Sequence, residues 1–209
     1  MRIEPIPTPT VLWHRSPALA LATLPGTALG RLELPSTASP KAWRAAGAAM
    51  RRLHDAPLPP WPGRSVEDLA AQLGSECEWL VADDALPIEV VARNRERAET
   101  ALRPWSPVFV HGDLQIVHVF VDEDDEVTGV LDWSEAAPGD AHADLATLTL
   151  AHEEHLDDVL AGYGVDDVDL DRIRAWWSLR CLLAVRWLAE HGYGPLEEMT
   201  EVAVLRSLA

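Results

Sequence analysis

Three side chains that can bind a proton or a hard cation lie in one short part of the chain: Asp113, His118 and Asp132. Asp113 follows an apolar run and a glycine, His118 begins the next apolar run, and Asp132 ends the third. Three such groups at adjacent ends of one small sheet would form a metal-assisted transfer site. Each carboxylate could instead cap a turn, an interpretation that suits any one of them alone. Their combination favours a functional site.

The elements that must position these groups are three runs rich in β-branched residues, which predict short strands. They are Val108–Val110, His118–Val121 and Val127–Leu131. The acidic stretch from Asp122 to Glu126 separates two of these runs and is expected to be a solvated turn. The pattern predicts a compact β cluster that presents its loops to one site.

Helical periodicity marks most of the remaining chain, so the expected fold class is α+β. Five segments show it clearly: Ser39 or Pro40 through Leu53, Val66–Val81, Ile88–Leu102, Leu156–Tyr163 and Asp169–Glu190. Near the beginning, Val11–Trp13 and Ala18–Thr23 are apolar runs bounded by prolines and by Pro25-Gly26. These two runs predict a pair of strands that ends in a turn.

The longest predicted helix is expected to supply much of the core. Its apolar positions at helical spacing are Ile173, Trp176, Trp177, Leu182, Leu183, Trp187 and Leu188. Tryptophans at this spacing favour a core over a cofactor site, because each buries a large apolar area. Cys77 and Cys181 form neither a metal motif nor a disulfide framework, so we expect both to be small buried residues.

Composition and charge exclude several classes of partner. The chain has 209 residues, 34 acidic against 17 basic ones, and a formal net charge of -17. Such a surface repels phosphate backbones and anionic membranes, so we expect neither a nucleic-acid nor a membrane partner. The first ten residues lack the apolar core of a signal peptide, and arginines interrupt the most apolar later stretch. We therefore expect a cytoplasmic protein.

The central motif resembles that of the aminoglycoside and macrolide phosphotransferase family, whose fold is that of protein kinases. The matching strings are His111-Gly112-Asp113-Leu114-Gln115, then His118, then Gly129-Val130-Leu131-Asp132-Trp133-Ser134-Glu135-Ala136. Gly139-Asp140 and Asp144-Leu145-Ala146 also fit the family pattern. Most members have Asn where this chain has His118, whereas macrolide phosphotransferases have His there and are more similar.

The resemblance implies a role for each matching residue. Asp113 would be the catalytic base or orienting group that accepts a hydroxyl proton from the acceptor. His118 and Asp132 would hold Mg²⁺ against the phosphates of ATP. Asp144 would bind the backbone of the catalytic loop, and His111 would be a packing residue rather than a proton shuttle. ATP and Mg²⁺ are thus the implied cofactors.

The same resemblance implies a division into two lobes. Leu19–Leu24 would be the last strand of the small lobe, with Pro25-Gly26 as the hinge, and the backbones of Ala22 and Leu24 would pair with adenine. Residues 1–26 would then be a remnant of the small lobe. Residues 27–209 would form a large, mainly helical lobe that carries the catalytic loop.

The beginning of the chain departs from the family pattern. A complete member has a strand lysine that pairs with the nucleotide phosphates and a phosphate-covering strand pair. No lysine occurs before Lys41, the single lysine of the chain, and no Gly-rich loop occurs before the predicted hinge. Arginine does not replace a point-charge lysine freely. We therefore expect a large lobe whose small lobe is mostly missing, in a truncated or impaired member.

Three functions compete at this level. The first is an ATP-dependent O-phosphotransferase acting on a small-molecule hydroxyl, and an acidic cleft would suit a cationic acceptor. The second is a pseudokinase-like module that binds nucleotide or a small molecule without turnover, which the missing lysine favours. The third, a metallohydrolase, would use His111, Asp113, His118 and His142 as ligands. The HEEH string at His152–His155 does not support it, because its spacing differs from that of the H-E-x-x-H motif.

Overall fold

The structure is a computed structural model that describes residues 6–165 and 168–208. Seven helices lie in these residues: α1 (Pro40–His54), α2 (Val66–Ala82), α3 (Ile88–Ala101), α4 (Ala141–Thr149), α5 (Leu156–Tyr163), α6 (Leu170–Glu190) and α7 (Thr200–Ser207). Seven short strands accompany them: β1 (Val11–Arg15), β2 (Ala18–Leu21), β3 (Thr27–Ala28), β4 (Val108–Val110), β5 (Val119–Val121), β6 (Val127–Val130) and β7 (Ala137–Gly139). The predicted α+β class is confirmed.

The predicted helices form within about a turn of their expected bounds, and three of the five begin at a clear capping residue. Ser39, Ser65 and Asp169 each cap a helix, their side-chain oxygens accepting a backbone N–H of the first turn. Gly192 follows the end of α6 in a left-handed conformation, as expected for a helix end.

The strands belong to three small antiparallel sheets, which corrects the prediction of one cluster. β1 pairs with β2, β3–β5–β6 form a second sheet, and β4 pairs with β7. The segment β7 was not predicted, because its sequence Ala-Pro-Gly carries no strand signal. The turn between β5 and β6 contains the acidic stretch as expected, and Lys41 on α1 donates to the Asp124 carbonyl there, at 2.6 Å.

Two apolar clusters fill the interior. One joins α1, α5, the β5–β6 pair, α4 and, on α6, Ile173 and Trp177. The other joins α2, α3, α7 and the buried positions of α6 between Ala175 and Val185. Helices α1 and α5 approach closely at Gly162, where a Cβ atom would collide with the backbone carbonyl of Arg44. The long helix α6 takes part in both clusters, so it is the element around which the helices are arranged.

The predicted burial of α6 holds for most positions. Ile173, Trp177 and Leu182 are buried, and three further apolar side chains are partly buried: Trp176, Leu183 and Leu188. Trp187 is 52% exposed, so its predicted burial was wrong. It stacks on His191 instead, with ring centroids 4.1 Å apart, near the end of the helix.

Both cysteines are buried, as expected. Burial raises the pKa of the Cys77 thiol to about 11 and also raises that of Cys181, so both remain uncharged thiols. Within residues 6–165 and 168–208, no helix is both long enough and apolar enough to cross a membrane.

Candidate active site

A buried carboxylate holds the loop that follows β4. Asp144, in the first turn of α4, accepts the backbone N–H of His111 at 2.7 Å and that of Gly112 at 2.9 Å. Both of its oxygens are therefore used by one short piece of backbone. This contact is the one predicted for Asp144, and it sets the course of the loop that carries Asp113.

The loop also depends on a glycine. Gly112 has φ +85°, and a Cβ atom there would collide with the backbone carbonyl of Glu135. A side chain at this position would therefore strain the backbone conformation and would also clash with a neighbouring backbone group. The glycine allows the chain to turn sharply between His111 and Asp113.

His111 is enclosed beneath the loop. Its Nε2 lies 2.9 Å from the Leu131 carbonyl oxygen, to which it donates, and its Nδ1 accepts the Asp113 N–H at 3.3 Å. Burial lowers the pKa of His111, although the charge of Asp144 opposes the change. The ring is thus a neutral packing residue with both nitrogens engaged, as predicted, and is not free to carry a proton to substrate.

Asp113 has two oxygens in different situations. Its Oδ1 accepts a hydrogen bond from Arg180 Nη2 at 2.6 Å and another from Gln115 Nε2 at 3.0 Å. Its Oδ2 has no hydrogen-bond partner among the described residues, and this oxygen is not fully buried. The carboxylate is therefore held on one side and open on the other, which is the arrangement a proton acceptor needs.

His118 and Asp132 face each other across a short gap, with His118 Nε2 3.9 Å from Asp132 Oδ2. His118 Nδ1 lies 2.8 Å from the Asp113 carbonyl oxygen, so Nδ1 donates to it, and in the neutral form of the ring Nε2 has the lone pair. Asp132 has a left-handed backbone at φ +59°, which Asp tolerates better than most residues, and its side chain is 53% exposed.

This pair fits a small cation. A ligating histidine usually donates its other ring N–H to a carbonyl or carboxylate, as His118 does here. The separation of the two ligand atoms is within reach of one ion, and Mg²⁺ commonly takes only one or two protein ligands beside phosphates and water. Among the described residues, no three His, Cys, Asp or Glu side chains converge on one metal position, so the metallohydrolase alternative gains no support.

The strand ends meet in a different way from the one predicted. Asp113 follows β4, whereas His118 precedes β5 and Asp132 follows β6, in another sheet. The two sheets come together because the chain from β4 to β5 is short and because Asp144 and Leu131 both hold His111 between them. The three residues are close, as predicted, but loop contacts rather than a shared sheet edge bring them together.

The hinge residues lie beyond the end of β2. The Ala22 N–H donates to the Thr10 carbonyl at 2.9 Å, so only the carbonyl of Ala22 remains for pairing with a base. The Leu24 side chain packs directly on Gly129 of β6. The adenine-binding role of Ala22 and Leu24, and the division at residue 26, stay predictions, and residues 1–5 lie outside the described residues.

One group of residues at the site was missed by the sequence analysis. Arg172, Trp176 and Arg180 stand four residues apart on α6, and all three contact carboxylates of the catalytic segment, which runs from His111 to Asp144. Arg172 Nε and Trp176 Nε1 donate to Asp140 Oδ2 at 2.7 and 2.8 Å. The available signal was the spacing of four residues, which places the three side chains on one face of the helix.

Asp140 is consequently held in its charged form. Burial acts to raise the pKa of its carboxyl, but hydrogen bonds from His142 and Trp176 and the charges of His142 and Arg172 outweigh burial and lower that pKa. Asp140 also caps α4, since its Oδ1 accepts the His142 N–H. The contact ties α6 to the start of the helix that carries Asp144.

A cavity of about 340 Å³ reaches the two side chains that hold the Asp113 carboxylate, although Asp113 itself is not part of its lining. Gln115 and Arg180, the two partners of the Asp113 carboxylate, form part of its wall. Its other polar and aromatic lining includes Glu33, Thr147, His152, Glu154, Tyr193, Thr200 and Glu201. The volume is that of a small-molecule site.

Comparison with known proteins agrees with this geometry. A model of the phosphotransferase enzyme family matches residues 2–176. A streptomycin 3''-kinase from Streptomyces griseus is 29% identical over 167 residues, which make up 68% of this chain and 58% of that protein. The chain therefore spans less than two thirds of the length of this curated relative.

Solved structures show the same fold. An aminoglycoside phosphotransferase from Streptomyces rimosus, in complex with ADP and streptomycin, is 28% identical with a TM-score of 0.60, over 85% of this chain and 76% of that one. A GDP complex of an aminoglycoside 2'-phosphotransferase is 17% identical with a TM-score of 0.73, over 99% and 76%. The fold is thus kinase-like, and the chain belongs to the phosphotransferase enzyme family.

Proposed function

We propose that this chain carries the catalytic centre of an ATP-dependent O-phosphotransferase that phosphorylates a hydroxyl group of a small molecule. The observation that supports it most is the Asp113 carboxylate, with one oxygen held by Arg180 and Gln115, which line a cavity, and the other without a hydrogen-bond partner among the described residues. Because ATP is the expected donor, we also place the reaction in the cytoplasm.

In this proposal Asp113 orients the acceptor hydroxyl and takes its proton on Oδ2. Phosphoryl transfer depends mainly on positioning and on stabilising charge, so the geometry of this oxygen matters more than a strongly altered basicity. His118 and Asp132 would hold Mg²⁺, which when bound neutralises charge on the phosphates. Asp144 keeps the loop in the conformation that places Asp113.

The lining of the cavity favours a cationic acceptor. Three carboxylates, Glu33, Glu154 and Glu201, contribute to the wall, and Arg180 is its one arginine and is already paired with Asp113. Tyr193 at the rim is half exposed and stacks with Trp187, which offers an aromatic face to an amine or a sugar ring. A similar protein has been solved with streptomycin, a precedent for such an acceptor.

A second candidate is a binding module without turnover. The chain has no lysine before Lys41, and Lys41 lies against the β5–β6 turn, where it donates to the Asp124 carbonyl. A phosphate-binding cation missing from the whole protein would cost a large factor in rate, because electrostatic stabilisation is a major part of catalysis. The intact Asp113, His118 and Asp132 favour the enzyme over this module.

The test combines calorimetry with a transfer assay. Titration with Mg·ATP followed by transfer of labelled γ-phosphate to a panel of aminoglycosides, streptomycin included, and macrolides should show binding and turnover. Asp113→Ala should lower turnover by about 10²–10⁴-fold while keeping the fold, and Asp132→Ala should weaken Mg·ATP binding. Asp171→Ala, on an exposed carboxylate of α6, is the matched control.

The outcomes separate the candidates. Binding of Mg·ATP without transfer to any acceptor would favour the binding module. Unchanged turnover in Asp113→Ala would refute the proposed base. Absence of any nucleotide binding would contradict the phosphotransferase and would leave only a module that binds a small molecule.

A further inference from the structure

Arg180 reaches from α6 to Asp113, 67 residues earlier in the chain, and its Nη2 lies 2.6 Å from Asp113 Oδ1. We propose that Arg180 is a positioning residue, which holds Oδ1 so that Oδ2 faces the acceptor hydroxyl. The inference rests on the proposed function, since it assigns Asp113 the task described above.

The need for such a residue follows from the freedom of an aspartate side chain. The last torsion of Asp is broad and has roughly two-fold symmetry, so a carboxylate without partners exchanges its two oxygens easily. Arg180 donates to Oδ1 from helix α6, and Gln115 donates to the same oxygen from the loop that carries Asp113. Two donors on one oxygen fix the carboxylate plane and leave the other oxygen for substrate.

Stability does not explain the pair. The side chains of Arg180 and Asp113 are 23% and 25% exposed, so most of both charges is taken out of water. Arg180 Nε is enclosed and lacks a hydrogen-bond partner among the described residues, which is an unfavourable arrangement. Apolar residues can often replace a mostly buried ion pair at no loss of stability. An arginine with an unsatisfied donor points to a role at the site.

The helix that carries Arg180 is well suited to positioning. Two side chains on the same face of α6 donate hydrogen bonds to Asp140: Trp176, one turn before Arg180, and Arg172, two turns before it. The neighbouring Cys181 and Leu182 are fully buried in the second apolar cluster. Arg180 therefore projects from a rigid support, which supplies the precision that a catalytic carboxylate requires.

The position of Arg180 in the cavity wall predicts which kinetic constant will change. Arg180 and Gln115 line the cavity proposed for the acceptor, whereas the proposed metal ligands His118 and Asp132 form a separate pair outside its lining. Removing the guanidinium should therefore lower kcat and leave the nucleotide KM unchanged. A small misplacement of a reacting group can lower a rate by about 100-fold.

The experiment compares Arg180→Gln with Arg174→Gln, whose arginine is on the same helix but pairs with Glu153 near the surface. We expect kcat of Arg180→Gln to fall by about 100-fold with the KM for ATP unchanged, and Arg174→Gln to match the wild type. Millimolar guanidinium should restore part of the lost rate in Arg180→Ala and have no such effect in the wild type. A kcat equal to that of the control, or a parallel loss of ATP affinity, would overturn the proposal.

A double-mutant cycle shows whether Arg180 acts through Asp113. In an Asp113→Asn background, Arg180→Gln should change the residual rate by no more than about twofold, because the two residues act as a unit. A full 100-fold loss in that background would mean that Arg180 acts independently, against the inference.

Thermal unfolding keeps the test valid if the wild type transfers no phosphate to any acceptor. Arg180→Gln should then change Tm by different amounts in the Asp113 and Asp113→Asn backgrounds, because the contact is present in only one of them as an ion pair. Equal Tm changes would contradict the Arg180 contact itself. Absence of turnover together with unequal Tm changes would contradict the proposed function, and would remove the positioning role that depends on it.

Discussion

The hairpin of β1 and β2 and the catalytic segment between His111 and Asp144 are both built from short strands and turns, yet they are held in opposite ways. Every residue of β1 and β2 is exposed, and Leu12 is 66% exposed although it is strongly apolar. The catalytic segment is anchored by enclosed polar groups, of which Asp144 is completely buried.

The difference shows that apolar sequence predicts a strand but not its burial. The hairpin closes on itself through backbone pairing, and an isolated two-stranded ribbon is only marginally stable. The catalytic segment is ordered by the Asp144 side chain, which accepts hydrogen bonds from the backbone N–H groups of Gly112 and His111, 32 and 33 residues earlier. Matched substitutions in the two regions test whether this contrast is real.

The largest effect is expected at Asp144. Asp144→Ala leaves the N–H groups of His111 and Gly112 without their partner, and each such loss costs about 1–3 kcal/mol, so the free energy of unfolding should fall by about 2–6 kcal/mol. Urea unfolding measures it, with Asp171→Ala as the control on an exposed carboxylate. A loss below about 1 kcal/mol would show that the catalytic segment does not depend on this contact.

Paired leucine truncations sharpen the contrast in packing. Leu182→Ala, at a fully buried position of α6, should lower the free energy of unfolding by about 2–5 kcal/mol. Leu12→Ala, the same change on the hairpin, should stay within about 0.5 kcal/mol. If Leu12→Ala were as destabilising as Leu182→Ala, the hairpin would have to be packed against something in solution.

The smallest effect concerns pH. Burial lowers the pKa of His152, so the folded protein keeps this ring neutral where the unfolded chain is already protonated. The unfolded chain then binds more protons, and stability should be lost as the pH falls below the unfolded value of about 6.5. His111 acts in the same direction, since burial lowers its pKa too.

The measurement is Tm between pH 7 and pH 5. The wild type should lose Tm with falling pH, and His152→Gln should show a shallower slope. His14→Gln, on the exposed hairpin, is the matched control and should keep the wild-type slope. An identical slope in all three proteins would contradict the assignment of His152 as a buried neutral histidine.

Much of the local structure could be predicted, because its causes are local. Capping residues and helical periodicity located α1, α2, α3, α5 and α6, and the β-branched runs located β4, β5 and β6. The errors were non-local. Pairing of β4 with β7 rather than with the neighbouring sheet, and exposure of Trp187, depend on which distant segment covers a surface, and that information is not in a short window of sequence.

By itself the sequence pointed to the family, through the resemblance of the strings around Asp113, His118 and Asp132, and that resemblance implied the role of Asp144 as a loop anchor. Only the tertiary structure decided which Asp113 oxygen is held and which is open, because that depends on Arg180, 67 residues away on a helix placed by its apolar neighbours. A motif depends only on residues that are close together in the sequence, so it can be identified without the structure. The orientation of the Asp113 carboxylate depends on a contact between distant segments, and the packing of the helices determines that contact.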